Sequence, residues 1–199
     1  MNVSYTTANG NSAAFFSGLP GGGATRQIFG IPAAQQQANE FHFVTILAAS
    51  NLNDFSSNFR GQFTYFRTLA DRTVTLAGNL ASPNVSSVAG GANGRVRITG
   101  TLNAPYTSSL TGSFTQTEGT ATRGVSIFAT SGYLGGAAYD LTIPDFSGVA
   151  GWQEAYGLLR GTRADYTVTA AGFTGAGFDL RPAEGAVVSI GGRGGNVTP

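Results

Sequence analysis

The chain contains no cysteine and no lysine, and only one histidine and one tryptophan. Without cysteine there can be neither disulfides nor thiolate metal sites, and the redox compartment leaves no trace. All 11 cations are arginine, scattered from Arg26 to Arg193, and the formal net charge is +1. No concentrated basic footprint exists for nucleic acid to bind, so a nucleic-acid partner is not expected. Charged residues make up 11% of the chain, less than half of the roughly 25% of an ordinary soluble domain. The all-arginine bias follows equally from a GC-rich coding sequence. Its consequence is a surface whose cations have planar forks suited to lateral contacts. No run approaches the roughly 18 apolar residues of a membrane span, so no spanning helix is expected. Met1-Asn2-Val3-Ser4-Tyr5 has neither a basic n-region nor an apolar h-region, so no signal peptide is read here. Low charge with abundant Gly, Ser and Thr nevertheless suggests an extracellular, cell-surface or periplasmic protein whose leader is absent from this sequence.

What is present is alternation. With hydrophobic content at 41% there is enough apolar surface for a core. Arg95-Val96-Arg97-Ile98-Thr99-Gly100-Thr101-Leu102 sends Val96, Ile98 and Leu102 to one face and Arg and Thr to the other, the pattern of a half-buried strand. Thr73–Leu76 and Asp165–Thr169 read alike. Glu40–Leu47 and Val125–Ala129 are more apolar on both faces and are expected centrally. Further strands are expected over 12–17, 24–30, 59–68, 84–89, 109–116, 137–143 and 185–191. Asn9-Gly10, Gly21-Gly22-Gly23, Ser82-Pro83-Asn84, Gly90-Gly91, Asn93-Gly94, Gly135-Gly136 and Gly191-Gly192 punctuate them. The expected fold is an all-β antiparallel sandwich of about a dozen short strands, with residues 1–199 forming one domain; the alternative is a split near 82–94. Short helical turns are expected after Pro32 and over Gly151–Leu159, the latter capping an open end of the sandwich.

Candidate chemistry is sparse. His42 is the one base available to a nucleophilic triad, and no Gly-X-Ser-X-Gly elbow accompanies it. It alternates with Phe41 and Phe43 inside an expected strand, so a structural role is favoured. Asp140, Asp145 and Glu154 lie within one stretch, as paired glycosidase carboxylates would. A turn aspartate at Asp145 and a surface Glu154 account for them as well. Asn51-Leu52-Asn53-Asp54 offers oxygen ligands but not the acid density of a calcium loop. Gly21-Gly22-Gly23-Ala24-Thr25-Arg26 lacks the lysine and helix of a phosphate cradle. No catalytic residue, cofactor or metal is therefore assigned, and the protein is read as a non-enzyme. Trp152 and Tyr156, with Gln153 and Arg160 beside them, either plug the core or form a rim that stacks on sugar rings or a partner. Phe63 and Tyr65 share one strand face and Phe66 takes the other, so this strand is either central or covered by a partner.

Residues 26–36, 65–76 and 139–152 resemble an uncharacterised group of bacterial envelope proteins, many of them predicted lipoproteins. The resemblance implies an exported β protein; the group carries no assigned activity and nominates no site. The expected function is that of a structural or assembly protein outside the cytoplasm, self-associating into filaments or serving as an extrinsic subunit among envelope proteins. Val3, Tyr5 and Val197 lie in terminal segments that could add a strand to a neighbour. The alternative is a carbohydrate-binding module built on Trp152 and Tyr156.

Overall fold

The computed structural model describes residues 1–18, 25–51, 58–175 and 183–199. The alternating segments become the strands β1 (Asn2–Thr6), β2 (Ser12–Ser17), β3 (Phe41–Ala49), β4 (Phe59–Phe66), β5 (Asn84–Val88), β6 (Arg95–Thr101), β7 (Ser109–Glu118), β8 (Ala121–Thr130), β9 (Ala138–Thr142), β10 (Ala164–Thr174) and β11 (Val187–Val197). All pairings between these strands are antiparallel, in an eight-stranded sheet ordered β2-β1-β3-β4-β11-β10-β7-β8 and a three-stranded sheet ordered β5-β6-β9. The small sheet covers the β10–β7–β8 end of the large one. Val96 and Ile98 of β6 and Leu141 of β9 pack with Leu110, Phe114, Val168 and Ala170 beneath them. A second cluster, Val3, Val44 and Phe66 with Met1, Phe16, Ile28, Ile46 and Val74, lies under the β1–β3–β4 end.

Val125–Ala129, expected centrally, lies in the edge strand β8, and two expected strands are corrected. Residues 25–30 and Thr73–Leu76 join neither sheet. Around Thr73–Leu76 the alternation is real: Val74 and Leu76 are half-buried while Thr73 and Thr75 are exposed. Period two reports which side is buried, and that does not require a ladder. Just beyond, side chains replace the missing strand partner. Arg60 Nη1 donates to the Ala77 carbonyl at 2.8 Å, Tyr106 Oη to that of Gly78 at 2.7 Å, and Arg193 Nε to that of Leu80 at 2.6 Å. Asn103 Oδ1 accepts from Ala81 N at 2.7 Å. A strap is thus tied across the large sheet, with Leu80 fully buried beneath it.

Helical content among the described residues is three short turns: 3-10 turns at Ala33–Gln35 and Glu154–Tyr156, and a four-residue α1 (Ser131–Leu134) that was not expected. Thr130 Oγ1 accepts from Tyr133 N to start α1, and Gly135, at φ 69°, ends it in the left-handed region that glycine alone adopts cheaply. The helical spacing read over Gly151–Leu159 is not realised. Leu158, not Leu159, enters the core, because the chain leaves the turn extended at Gly157. No described helix is long and apolar enough to cross a membrane. Within the 82–94 stretch, residues 84–88 form β5 and pair with β6.

The terminal segments expected to reach a neighbour are paired within the chain. Val3 and Tyr5 are buried, and β1 is flanked on both sides, by β2 and β3. Val197 pairs with Ala164 of β10. Both ends are incorporated in their own sheet, with Val3 in the second core cluster and Val197 packed against the first.

Candidate functional site

The large sheet has one face against the core and one facing away from it. Register assigns the outward rows: Thr45–Phe63–Val188–Phe173, then Leu47–Gly61–Ile190–Ala171, then Ala49–Phe59–Gly192–Thr169–Thr111–Phe128, then Gly194–Thr167–Ser113–Ser126. The face grades from aromatic and aliphatic on β3, β4 and β11 to Thr and Ser on β10, β7 and β8. Tyr65 extends it, its ring edge-on to Phe41 at 5.5 Å and 6.2 Å from Phe43. Phe59 lies over Gly192, whose missing Cβ would meet that ring at 2.1 Å, so the surface stays flat there. Among the described residues of these rows charge is confined to the rim, where Asp165 at the start of β10 pairs with Arg163 at 2.8 Å. Arg60 and Arg193 leave from the opposite face, toward the strap. Neither core cluster includes these outward residues. β4 is central, between β3 and β11, and its aromatics divide between two faces, Phe66 in the second core cluster and Phe59, Phe63 and Tyr65 on the outward side.

The second feature is a cleft of about 240 Å³ beside β8. It brings together Trp152, Tyr156 and Phe146 with Asn93, Arg95, Asp145 and, from β8, Val125. Trp152 meets Phe146 at 5.1 Å and Tyr156 edge-on at 5.7 Å. Trp152 is half-buried and Tyr156 is 54% exposed, so the pair is neither a core plug nor a free rim but a wall. The Trp152 indole N–H is buried and has no acceptor among the protein atoms. Arg95 Nε is committed to the Ile143 carbonyl at 3.0 Å. Hydrogen bonds from the Ser147 hydroxyl and then from Ser147 N, at 3.0 Å, hold the Asp145 carboxyl below the usual range. Of the other residues read from sequence, Gln153 and Glu154 are exposed. The Glu154 carbonyl accepts from Arg123 Nη1 at 3.1 Å. Arg160 donates to the Gly91 carbonyl at 2.9 Å. Asp140 lies apart from the cleft, bidentate with Arg97 on the small sheet, so the three acids do not converge on one site. Gln116, which periodicity marks only as one more strand residue, fixes the wall. Buried to 2% exposure, it accepts from Leu159 N at 2.6 Å and donates to the Leu159 and Thr162 carbonyls at 3.0 and 2.8 Å.

His42 is 1% exposed, stacked on Phe66 at 5.2 Å and tilted against Tyr5 at 4.8 Å. Its Nε2 accepts from Ile31 N at 2.9 Å, which requires the neutral ring. Next to it, Glu40 accepts from the Tyr5 hydroxyl, from Gln37 N at 2.8 Å and from Ala8 N at 3.3 Å, tying three segments together. Burial, then the Glu40 bond, pushes Tyr5 up to about 12, and the Tyr5 bond holds Glu40 below the ordinary glutamate value. Burial likewise lowers His42 below its ordinary 6.5. The unfolded chain therefore takes up this proton first as pH falls. Stability is full above 6.5 and declines below it, at up to about 1.4 kcal/mol per pH unit. The carboxylates act only further down, since Glu40 is shifted below 4.5. Urea unfolding between pH 7 and 5 is expected to show this slope, and His42→Gln is expected to flatten it; a pH-independent parent would refute the assignment.

Asn53 and Asp54, and Gly21–Ala24 of the glycine run, lie outside the described residues. No family model, no curated protein and no solved structure matches this chain.

Proposed function

We propose that this protein is a non-enzymatic structural subunit, acting outside the cytoplasm, that self-associates through the outward face of its eight-stranded sheet. The observation that carries the reading is that face: aromatic, aliphatic and hydroxyl rows across six strands, with charge, among the described residues of those rows, only at one rim. At about 4.8 Å per strand and 3.3 Å per residue the six strands present about 900 Å², against about 800 Å² per partner in a standard stable interface. A second copy suits it because an uncharged face meets no like-charge repulsion from itself, and stacked sheets pack through such faces. The low overall charge of the chain supports the placement in an envelope assembly.

Light scattering with negative-stain imaging tests this. The parent is expected to form defined oligomers or filaments. Phe63→Lys, which sets an ammonium in the middle of the apolar rows, is expected to shift them to monomer with the circular dichroism unchanged. A parent that stays monomeric at every concentration would overturn the reading.

One observation favours a second reading, carbohydrate binding. The Trp152–Tyr156–Phe146 wall offers ring faces to a sugar, with Asn93 and Asp145 as hydroxyl partners. Saturable quenching of the single tryptophan by an oligosaccharide panel supports it, and an unchanged spectrum across the panel counts against it.

A further inference from the structure

The large sheet ends in two edge strands, β2 and β8, and they are not alike. An edge presents unpaired backbone donors and acceptors, and proteins usually blunt it with shortness, a bulge, lysine or proline. β2 is short, six residues, and its register on β1 slips between Val3 and Ser4. β8 has none of these four, although the Glu154–Tyr156 turn lies against it at Arg123. It runs ten residues, keeps an unbroken register with β7 over all of them, and contains no lysine or proline. Its one charged residue, Arg123, is turned back onto the Glu154 carbonyl.

The sequence of β8 is also complementary to itself. Two antiparallel copies related by a two-fold axis pair residues of equal parity, so that each pair shares a sheet face. With the axis at Ser126, Ser126 meets Ser126 of the second copy, Val125 meets Ile127, Gly124 meets Phe128, Arg123 meets Ala129 and Thr122 meets Thr130. Each pair fits. Phe128 is 59% exposed, and in this register its ring covers Gly124, which has no side chain and no neighbour other than a carbonyl oxygen at 3.9 Å from a Cβ built there. An aromatic over a strand glycine is a stabilising cross-strand arrangement. Val125 and Ile127 are β-branched residues on the core side, both half-buried against the first cluster, and each would close the other's exposed flank. Serine and threonine pairs across a strand join through their hydroxyls.

We infer that β8 pairs edge to edge with β8 of a second copy, about a two-fold axis at Ser126, making one continuous antiparallel sheet from the two large sheets. The inference rests on the self-association reading and names a contact within it. A closed two-fold pair is also the commonest oligomer geometry, and it leaves the outward faces of both copies on one side, available for stacking. The two Trp152 clefts, each lined by Val125, flank the axis.

A chain without cysteine makes the test clean. Cross-strand Cα separations of about 4.5 to 5.5 Å, for either kind of antiparallel pair, fall within disulfide range. Ser126→Cys alone is expected to cross-link to a covalent dimer under mild oxidation. Gly124→Cys alone and Phe128→Cys alone are expected to stay uncross-linked, whereas their mixture gives the heterodimer. Ser82→Cys, exposed just before β5 and in neither the β8 edge nor the outward rows, serves as the collisional control. Circular dichroism confirms that each variant is folded. Should Ser126→Cys cross-link no faster than Ser82→Cys while the parent is oligomeric, this inference fails and face-mediated association stands. A parent that is monomeric throughout, with no cross-linking in any variant, defeats both.

Discussion

A Gly172→Ala chain is expected to lose about 4 kcal/mol of stability and about 12 °C in its thermal midpoint. Gly172 is buried in β10. A Cβ built on it would lie 1.6 Å from the Pro105 carbonyl oxygen and 2.7 Å from the carbonyl carbon. These are backbone atoms, so no rotamer change can clear the methyl group. The segment that holds them is itself anchored: Tyr106 is fully buried, and its hydroxyl donates to the Gly78 carbonyl at 2.7 Å. Either β10 or the 102–108 crossing must move, and moving the crossing loosens the strap it supports. Removing a glycine gains roughly 0.5–1 kcal/mol of chain entropy, far too little to offset the collision. Thermal and urea unfolding followed by circular dichroism measure the difference. An unchanged midpoint would mean that the crossing does not press on β10 in solution.

Gln116→Leu is expected to cost about 3 kcal/mol and to open the cleft. Leucine keeps nearly the same volume, so the core cluster is not emptied. What disappears is the amide that serves Leu159 N, Leu159 O and Thr162 O at once. These groups lie at the buried foot of the wall carrying Trp152 and Tyr156, and desolvated backbone groups left without partners carry the full penalty. The wall is expected to move out to water to recover them. Trp152 reports this directly as the single tryptophan, through a red-shifted emission that accompanies the lower midpoint. A variant with the parental spectrum and stability would show that the wall is held by its ring contacts alone. Together with the His42 slope, these measurements separate the two ends of the sheet: Gln116 governs the β8 end, and His42 with Glu40 governs the β1–β3 end.

Much of the fold is legible in the sequence wherever one face of a strand is wet. In β6, Val96 and Ile98 are fully buried and Arg95 and Arg97 point away from them, as the alternation requires. The proximity of Trp152 and Tyr156 is legible too, because only three residues separate them. Their partners are not. Phe146 and Asp145 come from the far side of a loop, Asn93 and Arg95 from the entry to β6, and Val125 from β8. Local periodicity carries no information about such meetings. The error at Thr73–Leu76 has the same origin: alternation registers burial, while strand pairing depends on whether a neighbouring backbone is there to accept it, and at this strap Arg60, Tyr106 and Arg193 stand in for one.

The amino-acid sequence by itself determined an all-β antiparallel protein, because period-two burial and glycine turns are local properties of the chain. It also contained the complementary series around Ser126, but not its meaning. Only the tertiary structure decided that β8 is an edge, that β1 is enclosed between β2 and β3, and that the outward rows of six strands form one uncharged face. The physical reason is that strand order is set by long-range packing of the two core clusters, and a strand of given sequence is interior or edge according to neighbours far away along the chain.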